Sequence, residues 1–451
     1  MKKHYAFFIM MLFALPAVAD NDCASLTTAP DTEMTLQNVV EMGLCRNPTT
    51  AAAYLSLESS RLNKNAEYST YLPSVSASAN IGENYQNRNW GEVTLGGSLS
   101  ASWLIFDFGK RLADLNALSA TWRATGFDYN ESVQNYVYSV IGAYYGLLTA
   151  DANVSSSESL LNVAKTARDT ANKKFKAGAV ARADVYKAET SLASRELDLE
   201  RAKNNRENAK STLLTLLSFP ATDNIKIADI SSEFGAESEN KSIDELLETA
   251  KKQRPDLLAA TENKNAAWHR RNASFLKNLP SISLSGSVGY NDLYDNLSHT
   301  SGDKVSGSIG IRASMPIFAG FANVYGVRAA EANYDAAKMR EVSAQNDAAR
   351  DIYSAYNNYK TAQKVLQQTK TLLKSATENE KVVSGMYKVG RAAMLEWQTA
   401  QSELVDASRQ ANDAKYDLYI KRAALAMAVG DLTANLGNWE SNKNMYGVEP
   451  K

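Results

Sequence analysis

Two periods of hydrophobicity alternate along this chain. Four segments read with period two, as strands covered on one face do. The first sets Val75, Ala77, Ala79, Ile81 and Tyr85 against Ser74, Ser76, Ser78, Asn80 and Asn84. The second sets Val93, Leu95, Leu99, Ala101, Trp103 and Ile105 against Thr94, Ser98, Ser100 and Ser102. In the third, Ile282, Leu284, Val288 and Tyr290 oppose Ser281, Ser283, Ser285, Ser287 and Asn291. In the fourth, Val305, Ile309, Ile311, Ala313 and Met315 oppose Ser306, Ser308, Arg312 and Ser314. After each strand pair the period lengthens to that of a helix and stays there. The nine prolines respect this: none falls between Pro73 and Pro220 or between Pro316 and Pro450, and proline breaks a helix interior. From Asp107 to about Lys174 the pattern is helical, a reach on the order of 100 Å.

The return helices carry a 3-4 spacing. It runs through Val185, Ala188, Leu192, Arg195, Leu199, Ala202, Arg206, Ala209, Leu213 and Leu216. It recurs through Trp397, Ala400, Leu404, Ala407, Ala411, Ala414, Leu418, Lys421, Leu425 and Ala428. A seven-residue repeat of this kind makes a left-handed coiled coil. The turns before these helices, Ala177 to Ala181 and Val389 to Ala393, each hold one glycine among small residues, as a helix C-terminus prefers.

The order of elements is written twice. Leu72-Pro73-Ser74 returns 207 residues later as Leu279-Pro280-Ser281. Phe175-Lys176-Ala177-Gly178 returns 212 residues later as Tyr387-Lys388-Val389-Gly390. The five extra residues fall between Pro280 and Phe318, which reads as a longer loop in the second strand pair.

Each alternating run is about long enough to cross a bilayer as a tilted strand. One face is serine and glycine, suited to a wet lumen, and aromatics (Tyr85, Trp90, Trp103, Tyr290, Tyr294) sit toward the strand ends, as an interfacial girdle requires. A half-buried soluble sheet alternates in the same way. Membrane barrels start at about eight strands, and one chain offers four. Open edges cannot face lipid, so spanning strands require several chains in one barrel.

The N-terminus reads as a secretory signal: Lys2 and Lys3, an apolar run from Tyr5 to Leu15, and Ala17-Val18-Ala19 as the cleavage site. No later segment offers the roughly 18 consecutive apolar residues of a membrane helix. Export puts the two cysteines, Cys23 and Cys45, in an oxidising compartment, where they are expected to pair. The alternative is lipidation of Cys23, which the polar Asn21-Asp22 before it disfavour. Net charge is −1 with signs interspersed, which gives no footprint for nucleic acid.

With these residues in place, the chain resembles the TolC-like outer membrane efflux proteins. The resemblance rests on Leu72-Pro73-Ser74, Ile105-Phe106-Asp107-Phe108-Gly109, Leu279-Pro280-Ser281, Pro316-Ile317-Phe318-Ala319-Gly320, Phe175 to Val185 and Tyr387 to Glu396. It implies a mixed α and β membrane protein. In that reading a homotrimer closes a twelve-stranded outer membrane β-barrel, four strands per chain, continued by a periplasmic α-helical coiled-coil barrel. Ser218 to Lys241 and the tail after Gly430 would form a belt around its middle. Residues 1–19 are then the signal peptide. Residues 20–241 are the first repeat, with strands about 73–106 and a tip about 177–183. Residues 242–451 are the second, with strands about 280–318 and a tip about 389–395.

The resemblance also implies roles at the tips. Asp184 and Tyr387 fall where a polar link closes the entrance, with Arg182 and Arg391 as candidate substitutes for an arginine that this chain replaces by Ala392. Ala183 stands where the family has a hydroxyl. Glu396 matches the first of two constricting acids and Thr399 stands at the second. Gly178, Val180, Gly390 and Arg391 would meet a periplasmic adaptor protein.

No catalytic constellation, cofactor motif or metal spacing appears; beyond His4 the histidines are His269 and His299, isolated from each other and from cysteine. The expectation is therefore a passive duct and not an enzyme, driven by an inner membrane transporter and embedded in outer membrane lipid. Type I protein secretion with an ABC transporter is the leading reading, and small-molecule efflux with a proton-driven pump the alternative. A periplasmic coiled-coil scaffold with a soluble sheet is the reading of another class. Loops Gln86–Glu92 and Leu293–Lys304 are candidates for a surface receptor role.

Overall fold

The computed structural model describes residue 29 and residues 32–86, 89–229, 242–295 and 300–432. The signal peptide, Cys23, the second part of the expected belt and the tail after residue 432 lie outside the described residues.

The chain begins with α1 (Leu36–Arg46) and α2 (Pro48–Glu67). Thr35 opens α1 with a reciprocal capping box to Asn38. Asn47 accepts from the amides of Thr49 and Thr50 to open α2, with Pro48 at its first position. A short 3-10 turn (Tyr68–Tyr71) leads into β1 (Ser74–Gln86) and β2 (Asn89–Phe106). Then come α3 (Lys110–Lys176) and α4 (Arg182–Leu216).

The same order follows again: α5 (Ile243–Gln253), α6 (Pro255–Leu276), β3 (Ser281–Asp295), β4 (Thr300–Ser314), α7 (Ala322–Lys388) and α8 (Met394–Val429). Ser242 and Glu245 form the capping box of α5, and Pro255 opens α6. Helices α3 and α7 are 67 residues each, about 100 Å at 1.5 Å per residue. Among the described residues no helix is long and apolar enough to cross a membrane.

The four strands form one antiparallel sheet in sequence order, although the whole of α3 to α6 intervenes between β2 and β3. Among the described residues of the chain, nothing pairs with the outer edges on β1 and β4. The sheet's faces follow the expected alternation. On one, Ser76 pairs with Ser100 and Ser78 with Ser98 at 2.8 Å, and Ser287 with Ser308 at 2.9 Å. The other presents Val75, Ile81, Leu95, Leu99, Val288, Val305 and Ile311, and Ile309 is 83% exposed. Trp103 lies on that face and donates from its indole N–H to the Tyr71 carbonyl at 2.9 Å. The side chains of Tyr85, Trp90 and Tyr294 are outside the described part of the structure.

Three expectations need correction. The strands run further than the alternation indicated, because the backbone ladder continues where the apolar pattern fades. The described residues of the expected loops at 86–92 and 293–304 are strand throughout. The extra length of the second half lies mostly outside the hairpin. Strands and turn span residues 74–106 in one half and 281–314 in the other, whereas three residues join β2 to α3 and seven join β4 to α7. Finally, Arg206 leaves the coiled-coil seam: it is exposed and paired with Asp151 of α3, since its guanidinium keeps more hydration at the surface than in an alanine seam.

The largest core sits midway along the helices. It joins α1, the middle of α3, the end of α4, the segment 217–228 and α8. Tyr144 donates to the Ala228 carbonyl at 2.6 Å, and Met34 bridges Ile227. The segment after Ser218 thus packs together with α1 on the middle of the long helices. A second cluster packs α5 against α7 and α8. There Arg254 donates to Asp256, to Asp351 and to the Ala428 carbonyl, which ties the α5–α6 turn to both later helices. Gly430 fits beside it only as glycine: its φ is +86° and a Cβ would stand 2.7 Å from the Arg254 Cα.

The helical tip as candidate functional site

The two long hairpins turn by the same device. Helix α3 ends at Ala177 and Gly178 takes φ +70°, so that the Ala179 amide reaches the Lys174 carbonyl at 2.9 Å. Helix α7 ends at Val389 and Gly390 takes φ +79°, with the Arg391 amide reaching the Met386 carbonyl at 2.8 Å. These closures satisfy carbonyls that a helix end leaves bare. Asp184 and Glu396 fall in the first turns of α4 and α8, where the helix dipole favours an acid.

A small apolar cluster joins the two hairpins. Ala167 and Ala171 of α3, Val185 and Ala188 of α4, Tyr387 of α7, and Met394 and Trp397 of α8 are buried together. The Tyr387 and Trp397 rings lie 5.1 Å apart at 41°. The Trp397 indole N–H donates to Glu380 at 2.8 Å, which gives the buried ring the polar partner it needs. Lys174 crosses from the first hairpin to the second. Its ammonium donates to the Tyr387 carbonyl and lies 4.6 Å from the centre of the Tyr387 ring. Lower on the coil, the Gln398 amide donates to the Lys187 carbonyl at 2.7 Å.

Tyr387 is 2% exposed, and its hydroxyl has no hydrogen-bond partner among the described residues. Leaving a buried donor unpaired costs about 1–3 kcal/mol. Burial, and then the nearby Asp184 carboxylate, push the phenol's pKa above its ordinary value. Asp184 and Tyr387 are thus brought near each other, but the phenol-to-carboxylate hydrogen bond expected from the sequence is not made within the chain. Tyr387 is instead packed in the apolar cluster, with Lys174 on its carbonyl and ring.

The remaining expected residues are at the surface. Arg182, Arg391, Glu396, Thr399, Gly178 and Gly390 are exposed, and Val180 is half-buried. The Arg182 guanidinium sits 5.5 Å from the centre of the Tyr186 ring. The Thr399 hydroxyl turns back to the Leu395 carbonyl at 3.0 Å. Cys45 is disulfide-bonded, while Cys23 lies outside the described residues. Two contributors escaped sequence reading: Lys174, whose partner is 213 residues away, and Trp397, which had read only as a seam position. Among the described residues no group of His, Cys, Asp and Glu is arranged to hold a metal ion.

The chain is similar to known proteins along most of its length. It is 22% identical over 404 residues to protein CyaE of Bordetella pertussis, covering 89% of this chain and 85% of that one. It is 24% identical over 336 residues to outer membrane protein TolC of Vibrio cholerae, covering 74% of each. Its fold matches the crystal structure of the Campylobacter jejuni CmeC outer membrane channel with a TM-score of 0.77, at 20% identity and 96% coverage of both chains. The family described as outer membrane efflux protein matches residues 39–218 and again residues 246–431. The chain belongs to the outer membrane efflux protein family, a family of channel proteins seated in the outer membrane of Gram-negative bacteria.

Proposed function

We propose that this protein is the passive exit duct of a tripartite export machine. The chain is read as an internal duplication whose two halves each supply two strands and a helical hairpin. Three copies close a twelve-stranded barrel and continue it as a periplasmic helical tunnel. One observation carries this reading above the others. A four-stranded sheet with two unpaired edges and an apolar outer face is fused to helices about 100 Å long. An open edge in lipid leaves backbone groups unsatisfied, and closure by further copies removes both edges at once.

An inner membrane transporter must supply the energy and a periplasmic adaptor must bridge to the tip. The favoured role is type I protein secretion beside an ABC transporter, since the polar residues before Cys23 argue against the lipid anchor of a dedicated drug-efflux channel. The tip gates the duct. Lys174 and the Tyr387–Trp397 cluster tie the hairpins within a chain, Asp184 contributes charge beside them, and the exposed Glu396 lines the narrowing. Gly178, Val180, Gly390 and Arg391 present the adaptor surface. Opening is then a two-state change that adaptor contact biases.

The test is the mass of the detergent-extracted protein followed by conductance in planar bilayers. A trimer with small discrete steps is expected, and larger steps for Lys174→Ala combined with Asp184→Ala. A water-soluble monomer without conductance returns the chain to the scaffold reading. Unchanged steps in the double variant refute the latch and leave the duct standing.

A further inference from the structure

The serine face of the sheet holds an unpaired cation that the exit-duct reading does not use. Arg312 lies on β4, register partner of Ser283 on β3. It is exposed and makes no ion pair among the described residues. Its row continues through Leu104 on β2, the partner of Ser283 on the other side. The rows above it are Gly310, Ser285 and Ser102, then Ser308, Ser287 and Ser100. These are small and uncharged.

The next described charge on the same face lies toward the hairpin turn: Lys304, opposite Asn291. Eight residues separate Lys304 from Arg312 along β4, about 27 Å of strand. Among the described residues no carboxylate of this sheet shares a face with Arg312. A second copy does not supply one either. Its β1 is the strand that would complete the free edge of β4, and on its serine face β1 carries Ser74, Ser76, Ser78, Asn80 and Gly82. Whatever the register between copies, Arg312 meets hydroxyls and amides.

We propose that Arg312 is a selectivity determinant, forming with its copies a cationic ring at the helix-side end of the barrel lumen that attracts anions and acidic stretches of cargo. This rests on the exit-duct reading, which places the serine face in the lumen. Rings of basic side chains favour anions in narrow pores, and lumen substitutions tune selectivity in membrane barrels. The ring stands in series with Glu396 at the opposite end of the helices. Two filters of opposite sign then act on one path: the tip selects against anions and the barrel base draws them on.

The experiment places a reporter thiol beside the ring by Ser283→Cys and compares an anionic with a cationic methanethiosulfonate reagent, added outside to the assembled protein in membranes. The reporter reads the local potential without passing the tip. In the presence of Arg312 the anionic reagent should react faster relative to the cationic one. Arg312→Ser should lower that ratio by about tenfold, since one unit charge 5–6 Å away in water changes the two rates by about three- to fourfold each, in opposite directions. The difference should shrink at 1 M salt, where screening acts within about 3 Å. Arg312→Lys should keep most of the ratio, which a purely structural role would not predict. Equal ratios with and without Arg312 overturn the ring but leave the duct, because the thiol is still reached from outside. A thiol that reacts with neither reagent, in a protein that gives no conductance, overturns the lumen assignment and the ring together.

Discussion

The two places where a strand hands over to a long helix use one backbone device and two different ways of holding it. At the first, Phe108 and Gly109 take φ of +57° and +91°; at the second, Gly320 and Phe321 take +60° and +65°. Two successive left-handed residues turn the chain from sheet into helix, and in both cases one of them is phenylalanine. The first junction is then stitched from within the chain. Arg111 pairs with Asp107 at 3.1 Å and also donates to the carbonyls of Thr70, Leu104 and Ile105. Its guanidinium lies over the Tyr71 ring, 4.6 Å from its centre. The second junction is four residues longer and carries Ala319 after its Ile-Phe pair, where the first carries Asp107. Ile317 is 91% exposed and Phe318 74%.

The same contrast extends along the helices that follow. Helix α3 buries residues from Arg111 to Ala171 and touches α1, α2, α4, α6 and α8. Helix α7 is the same length but buries fewer, and its neighbours are α5, α6 and α8. The first half completes its own packing. The second half leaves apolar surface whose burial depends on what lies outside a single chain.

The largest test of this contrast removes the stitch. Arg111→Ala leaves Asp107 buried without its counter-charge, which costs about 3–5 kcal/mol. Thermal unfolding of the detergent-extracted protein should move down accordingly. A shift within about 0.5 kcal/mol, the usual surface range, would mean that the buried pair does not hold the junction. At the second junction, Ile317→Ala with Phe318→Ala should leave the unfolding of a single chain nearly unchanged but weaken self-association. The expected loss is about 1.5–3 kcal/mol for each large side chain that assembly would bury, read from the temperature at which the oligomer dissociates on a semi-native gel. If dissociation is unchanged, these residues face solvent or lipid in the assembly. The smallest effect is on the shared turn. Gly109→Ala meets no atom within 4 Å, so its cost is that of a left-handed residue alone, about 1–2 kcal/mol. A larger loss would show that the tight packing of the first junction, not its backbone, rejects a side chain there.

Much of the architecture was legible because period reports covering. Strand alternation was visible from Val75 to Met315 since one face of each strand is apolar, and proline-free stretches marked α3 and α7. The seam residues Val185, Ala188, Trp397, Ala400 and Leu425 are buried as their spacing indicated. Strand ends were not legible: near the hairpin turns both faces turn polar, and only the backbone ladder continues. Nor was the location of the extra residues, since Pro316 to Gly320 resembles a strand end in composition while lying beyond β4.

At the tip, the sequence alone determined the turns, because glycine at Gly178 and Gly390 is a local requirement of a left-handed backbone. It also put Asp184 and Glu396 just after those turns, near the start of the return helices. Tertiary structure decided which residues meet. Lys174 finds Tyr387 only when α3 and α7 lie side by side, and Arg312 stays unpaired only because the rows around it are serine and glycine. Local periodicity depends on neighbours three or four residues away, whereas these contacts depend on chain segments brought together from far apart, and no short-range pattern records them.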